Sequence, residues 1–144
     1  MKTGARSLQP LRELHVILDA DAITKVARRD RRVRLMLERL TTERQAVLVV
    51  PLVGVIQALA EGTSEGAVER VLRATLSLSG LDMARSRMAA HLLRDAGTRD
   101  VADALICGEA LMRVPSVLIT SDPGDMRRLL DADPRGPRVA VWGV

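Results

Sequence analysis

The chain has 144 residues, of which 47% are hydrophobic and 28% are charged, and its formal net charge is +4. This composition is that of a globular protein and excludes a largely disordered chain, and no apolar run approaches the roughly 18 residues of a membrane span. Residues 1–13 have no hydrophobic periodicity, which indicates a loose lead-in to the domain. They also lack the apolar stretch of a signal peptide. The single cysteine, Cys107, cannot form an internal disulfide. We therefore expect one domain over residues 1–144, cytoplasmic and without membrane association.

The basic residues indicate a polyanionic partner. All but two of the 22 Lys and Arg residues are Arg, and Tyr and Phe are absent. Without aromatic stacking platforms, a nucleic acid would be bound through its backbone charge. The densest basic cluster is Arg28, Arg29, Arg31 and Arg32. It is interpreted either as a solvated face or as a rim that contacts phosphates, for which Arg is well suited.

Short apolar runs alternate with stretches of helical periodicity along the chain. The runs predict strands at residues 15–18, 46–50, 76–81, 116–119 and 138–142. Helices are predicted to begin near residues 20, 33, 51, 65, 82, 98 and 125. Strands that alternate with helices predict a mainly parallel sheet with helices on both faces. The expected fold class is therefore a three-layer α/β/α arrangement.

Local signals set the expected ends of these elements. Pro51 suits the first position of a helix that Gly62 closes. Thr98 is predicted to cap the helix that carries Asp100 and Asp103 in its first turns. The strand at 116–119 is expected to end on Asp122, with a Pro-Gly turn before Asp125 opens the next helix.

Such a fold brings several carboxylates to one edge of the sheet. Asp19 and Asp122 follow strands, Asp125 begins a helix, and Asp103 lies one helix earlier. Oxygen ligands without convergent His or Cys favour Mg²⁺ or Mn²⁺ over zinc, and a water on such an ion can attack a phosphodiester. The alternative is that each Asp only caps a helix or forms a turn, as Asp often does. Ser121, beside Asp122, could orient a ligand or a water.

Three segments together resemble the PIN-domain nucleases, and among them the VapC-type toxins of bacterial toxin–antitoxin pairs. VILDADAIT is similar to the first motif of the family, VADALI to its helix motif with the third acidic residue, and LITSDPGDM to its strand-end motif. The resemblance covers residues 16–142. It implies a PIN-like fold, Mg²⁺-dependent endoribonuclease activity, dimerisation and neutralisation by a small antitoxin.

One position departs from the family pattern. In VPLVGVIQALAEG, Gln57 occupies the place where the family usually has Glu. Glu61 lies one turn further along the same helical face. Some PIN-like sequences with Gln at this place carry the arrangement seen here from Gly97 to Asp103, which makes Asp100 the favoured replacement carboxylate.

The sequence thus predicts a metal-dependent ribonuclease toxin. Asp19, Asp103 and Asp122 would bind the cation, while Asp125 is counted with the catalytic residues and Asp100 supports them. The alternative from another class is a PIN-like domain without turnover that binds RNA or a protein, and Gln57 is the residue that favours it. A receiver-like phosphotransfer domain is disfavoured, because no Lys follows the last strands.

Overall fold

A computed structural model describes residues 13–75 and 77–144. Within these residues the chain forms five strands and seven α-helices. The strands are β1 (His15–Leu18), β2 (Val47–Pro51), β3 (Ser77–Ser79), β4 (Ser116–Thr120) and β5 (Val139–Gly143). The helices are α1 (Ala20–Ala27), α2 (Arg31–Glu43), α3 (Leu52–Ala60), α4 (Glu65–Ala74), α5 (Met83–Ala96), α6 (Val101–Met112) and α7 (Pro123–Leu130). The predicted lead-in falls almost wholly outside the described residues, as does Leu76, with which the third strand was predicted to begin.

The five strands make one parallel sheet in the order β3-β2-β1-β4-β5. From β1 the chain adds β2 and then β3 on one side, and it returns to add β4 and β5 on the other. Strand order therefore reverses between β1 and β4. In open α/β sheets this switch point leaves a crevice beyond the carboxyl ends of the two strands.

Helices cover both faces of the sheet, so the predicted three-layer α/β/α class is confirmed. Val16 and Leu18 point into one apolar core with side chains of α1, α2, α3 and α4, whereas Ile17 points into a second core with α5, α6 and α7. Both faces are buried, which is why the strands read as continuous apolar runs instead of alternating ones. Cys107 is fully buried in the second core, as an apolar side chain would be.

Several predicted boundaries were wrong by one turn or less; β4, for example, ends at Thr120 and not on Asp122. Pro51 is the last residue of β2 and the N-cap of α3 instead of its first helical residue. Asp100, and not Thr98, caps α6. Pro123 and Gly124 are the first helical residues of α7 and not a separate turn, because Asp122 is already the N-cap.

A buried carboxylate on α6 ties the edge of the sheet to two helices. The Glu109 side chain is 1% exposed, and its oxygens accept hydrogen bonds from Ser79 on β3, Arg85 on α5 and Arg113 on α6. These donors hold the pKa of Glu109 below its ordinary value despite its burial. The network fixes α6 against the sheet and, with it, the direction in which the start of α6 points.

None of the helices within residues 13–75 and 77–144 is both long and apolar enough to cross a membrane.

Candidate active site

A cavity of about 180 Å³ opens at the switch point between β1 and β4. The two strand ends are directly adjacent there, since the Asp19 backbone N–H donates to the Ile119 carbonyl at 3.1 Å. Five carboxylates line the cavity, and no Lys, Arg or His is among the residues that line it. The five are Asp19, Asp21, Glu61, Asp103 and Asp122. The three predicted cation ligands therefore lie on one cavity.

Two of these carboxylates are helix caps as well as cavity residues. Oδ1 of Asp19 accepts from the Ala22 N–H at 2.8 Å at the start of α1, and Oδ1 of Asp122 accepts from the Asp125 N–H at 3.3 Å at the start of α7. The capping role considered in the sequence is thus present, but it occupies one oxygen of each carboxylate. The N-termini of these helices also supply positive partial charge to the crevice.

Of the three predicted cation ligands, Asp103 is the one whose position capping does not explain. It lies half-buried in the first turn of α6, where its side chain hydrogen-bonds to Asp100. Its pKa is raised from 3.8 to about 7, first by desolvation, then by the charge of Asp100 and a hydrogen bond with it, and then by the charges of Asp19 and Asp122. The ionised form of Asp103 is therefore disfavoured, and either protonation or a bound cation relieves the repulsion.

Asp19 is the most deeply buried carboxylate of the cavity, at 5% exposure. Burial raises its pKa, and hydrogen bonds from the Thr120 hydroxyl and from the Ala22 and Ser121 N–H groups oppose that rise. The Ser121 N–H reaches Oδ2 of Asp19 at 3.3 Å. Asp19 is therefore held in one orientation by neighbours from both β4 and α1.

Helix α3 brings Gln57 and Glu61 to the same cavity. The close approach of α3 to the start of α1 depends on Gly54, because a Cβ there would lie 2.9 Å from Cδ1 of Ile23 and 3.7 Å from the carbonyl carbon of Asp19. The amide of Gln57 and the carboxylate of Glu61 thereby reach the crevice beside the start of α1.

Asp21, a residue not predicted from the sequence, also lines the cavity, from the first turn of α1. The Ser121 hydroxyl donates to Oδ2 of Asp21, so Ser121 supports Asp21 through its side chain and Asp19 through its backbone. The signal that could have found Asp21 is its place two residues after Asp19, since the first turn of a helix that leaves a strand end faces the same crevice.

A second, smaller cavity of about 100 Å³ adjoins the first, and Asp103 lines both. Asp100 and Asp125 line this second cavity and not the first, together with Thr98 and Arg128. Asp100, the favoured replacement carboxylate, thus borders the adjoining cavity and not the one that Gln57 lines. Of the two candidate replacements, Asp100 and Glu61, it is Glu61 that shares a cavity with Gln57.

The donor chemistry of the main cavity fits a hard divalent cation. Its polar lining is made of carboxylate, amide and hydroxyl oxygens, which Mg²⁺ and Mn²⁺ prefer. In the positions shown, no three Asp, Glu, His or Cys side chains of the described residues are close enough to bind one ion. Like charges on one cavity repel one another in the metal-free protein, and Asp122 is exposed.

The predicted RNA-contacting arginines lie away from this cavity. Helix α1 starts at the carboxyl end of β1 and runs for 8 residues, which is about 12 Å at 1.5 Å per residue, before Arg28 is reached. Arg28, Arg29, Arg31 and Arg32 are all exposed. They are too far from the cavity to touch a phosphate bound beside Asp19, but within reach of nucleotides further along a strand.

The fold is shared with solved structures. This chain is similar to a chain in the crystal structure of VapBC2 from Rickettsia felis bound to a DNA fragment from their promoter. The match has a TM-score of 0.65 and 11% sequence identity, and it covers 90% of this chain and 98% of the matched chain. This chain is also similar to a chain of a toxin–antitoxin complex from Klebsiella pneumoniae, with a TM-score of 0.64, 14% identity, and coverage of 90% and 99%. Neither a protein-family model nor a curated protein matches the sequence. The likeness shows the fold: the chain has the three-layer α/β/α PIN-like fold.

Proposed function

We propose that this PIN-like protein is a metal-dependent endoribonuclease that acts as the toxin of a toxin–antitoxin pair. One observation carries the proposal: five carboxylates converge on a single cavity at the switch point of the sheet without a basic residue among them. Such a cluster is unfavourable in the metal-free protein, as the raised pKa of Asp103 shows, and a divalent cation relieves it.

Asp19, Asp103 and Asp122 would hold the cation, Mg²⁺ or Mn²⁺. When bound, that cation would polarise a phosphodiester and lower the pKa of a coordinated water. The chain's own residues do the positioning. Ser121 and Thr120 fix Asp19, and the amide of Gln57 can hydrogen-bond a water on the α3 side of the cavity. Asp125 and Asp100 support Asp103 from the adjoining cavity.

RNA would bind through its phosphates. The net charge of +4 attracts a polyanion, and the exposed Arg28, Arg29, Arg31 and Arg32 offer contacts for nucleotides distant from the cleavage point.

A small antitoxin protein, a homodimer and a cytoplasmic location complete the proposal. The matched chains come from a VapBC2 complex and from a complex described as toxin–antitoxin, which supports an antitoxin as the partner of this chain as well.

Cleavage of a structured RNA against Mg²⁺ and Mn²⁺ concentration tests the activity. We expect weak cleavage by the wild type, stronger with Mn²⁺, because Gln57 leaves one anionic ligand fewer and Mn²⁺ sheds water more readily. Asp19→Asn should abolish it, since Asn still caps α1 but carries no charge. Asp30→Asn is the matched control, because Asp30 caps α2 in the same way and lines neither cavity.

Equal background cleavage by the wild type and Asp19→Asn with either metal would contradict the nuclease proposal. It would favour the second candidate, a PIN-like module that binds RNA or a protein without turnover. The presence of Gln57 and the spread of the carboxylates are the observations in favour of that candidate.

A further inference from the structure

Arg128 on α7 is the only basic residue that lines either acidic cavity, as far as the described residues show. It shares the smaller cavity with Asp100, Asp103 and Asp125. Because Asp103 lines both cavities, Arg128 borders the cavity that adjoins the one lined by the proposed cation ligands Asp19 and Asp122.

The spacing along α7 accounts for this position. Asp125 and Arg128 lie three residues apart on α7, so they are neighbours on one face of the helix, and both line the smaller cavity. Arg127 projects elsewhere: its guanidinium donates to the carbonyls of Gly136 and Val139 at 2.6 and 2.9 Å and to Asp131 at 3.2 Å. The two successive arginines therefore have different environments: Arg127 is hydrogen-bonded within the protein, and Arg128 lines the smaller cavity.

Arg128 forms no ion pair with the described residues of the chain. Arg85, Arg113, Arg127 and Arg135 each form an ion pair in the described part of the chain, whereas Arg128, like most of the exposed arginines there, forms none; what sets it apart is that three carboxylates line its cavity. It is also exposed. Its donors are thus available to a ligand that enters from solvent.

A polyanion that approaches this edge of the sheet is repelled by the carboxylates that line the two cavities. The carboxylates that suit a cation repel a phosphate, and the distant Arg28–Arg32 cluster cannot offset that repulsion locally. A guanidinium next to Asp103 supplies attraction at the point where the backbone must lie, and its planar fork can bind two phosphate oxygens at once.

We propose that Arg128 binds a phosphate of the RNA backbone next to the cleavage point and so holds the strand over the acidic cavity. This inference rests on the proposed nuclease function and names a substrate contact for the same site.

The test compares Arg128→Gln with Arg70→Gln, which removes one exposed positive charge from α4 and lines neither cavity. Binding of a short fluorescent single-stranded RNA is measured in the Asp19→Asn background, so that the RNA stays intact and the surroundings of Arg128 are unchanged. Mn²⁺ binding and RNA cleavage are measured with Asp19 present. Thermal unfolding should be unaltered by either change, because neither side chain is buried.

We expect Arg128→Gln to weaken RNA binding roughly tenfold, as loss of a charge-assisted phosphate contact does, and to lower the slope of log affinity against log salt by about 0.7. Arg70→Gln should change affinity by less than about twofold. Arg128→Lys should recover part of the affinity, because it keeps the charge and loses the fork. Mn²⁺ affinity should be equal or higher in Arg128→Gln, since a positive charge beside Asp103 is removed.

RNA affinity and salt slope in Arg128→Gln that match those of Arg70→Gln would overturn this inference, whether or not the wild type cleaves RNA. An RNA-binding loss specific to Arg128, in a protein that shows no metal-dependent cleavage, would support Arg128 as a phosphate contact and overturn the nuclease proposal. Absence of RNA binding by every variant, including the parent, would overturn both.

Discussion

Replacing Asp103 by Asn should stabilise the metal-free protein at neutral and higher pH. The pKa of Asp103 is raised from 3.8 to about 7 by burial and by neighbouring carboxylates. Each tenfold change in an acid dissociation constant is worth about 1.4 kcal/mol, so the full rise corresponds to about 4 kcal/mol. Asp103 is only half-buried, and solvent screening reduces what is realised to about 1–2 kcal/mol.

The sign of the pH dependence follows from proton binding. Between pH 3.8 and about 7 the folded protein holds the Asp103 proton while the unfolded chain has lost it, so stability falls as pH rises through this window. Above about pH 7 the contribution of the Asp103 proton to the free energy of unfolding is fully lost. The raised pKa of Asp19 acts in the same direction, whereas the lowered pKa values of Asp82, Glu109 and Asp133 act only at more acidic pH.

Urea unfolding at pH 5 and pH 8 in a chelating buffer measures the effect. Wild type should be less stable at pH 8 than at pH 5, and Asp103→Asn should show a smaller difference and exceed wild type at pH 8. Asp103→Asn also removes a negative charge that interacts favourably with the N-terminus of α6, and this loss offsets about 0.5 kcal/mol of the gain in stability. Glu65→Gln, which removes a first-turn carboxylate from α4, measures that helix-end effect separately. An Asp103→Asn protein that is equally destabilised at both pH values would refute the electrostatic reasoning and make Asp103 a structural residue.

Three further predictions concern the same cavity. Asp122→Asn should abolish Mg²⁺ binding, read by calorimetry, while the thermal midpoint stays equal or rises, because Asn still caps α7; a large loss of stability would make Asp122 a cap alone. Gln57→Glu should raise Mn²⁺ affinity and cleavage rate, and comparison of Asp100→Asn with Glu61→Gln decides which carboxylate compensates for Gln57; if neither lowers affinity, the compensation argument is wrong. Gly54→Ala should destabilise by about 1–3 kcal/mol in urea unfolding, because its Cβ would lie 2.9 Å from Cδ1 of Ile23, and a neutral result would show that α3 can shift.

The fold was accessible from the sequence because its signals are local. Continuous apolar runs marked strands that are buried on both faces, and Asp82 and Gly97 marked the ends of α5 where the structure has them. The errors came from competing local signals. Thr98 and Asp100 are both good capping residues, and only the path of the chain decides that Asp100 takes that place.

The candidate site was only partly accessible, because cavity lining depends on packing between distant elements. Asp19 and Asp122 follow from the rule that sites lie at the carboxyl ends of parallel strands, and Asp103 from the resemblance of VADALI to the helix motif of the PIN-domain family. Glu61 shares the cavity with Gln57 because the two lie one helical turn apart, whereas the placement of Asp100 in the adjoining cavity depends on how α6 packs, which its own sequence does not show. The buried bonds of Glu109 to Arg85 and Ser79 join α6 to α5 and β3, so nothing in the helical periodicity of α6 identifies them.

A crystal of the protein soaked in Mn²⁺, with the metal located by its anomalous signal, shows directly whether Asp19, Asp103 and Asp122 bind a cation. We expect a peak in the switch-point cavity at about 2.1–2.3 Å from carboxylate oxygens of these three residues, with Asp103 and Asp122 turned inward. The peak should be lost in Asp19→Asn and kept in Asp30→Asn. A Mn²⁺ peak elsewhere, or an empty cavity at saturating Mn²⁺, would show that these carboxylates are not the cation ligands.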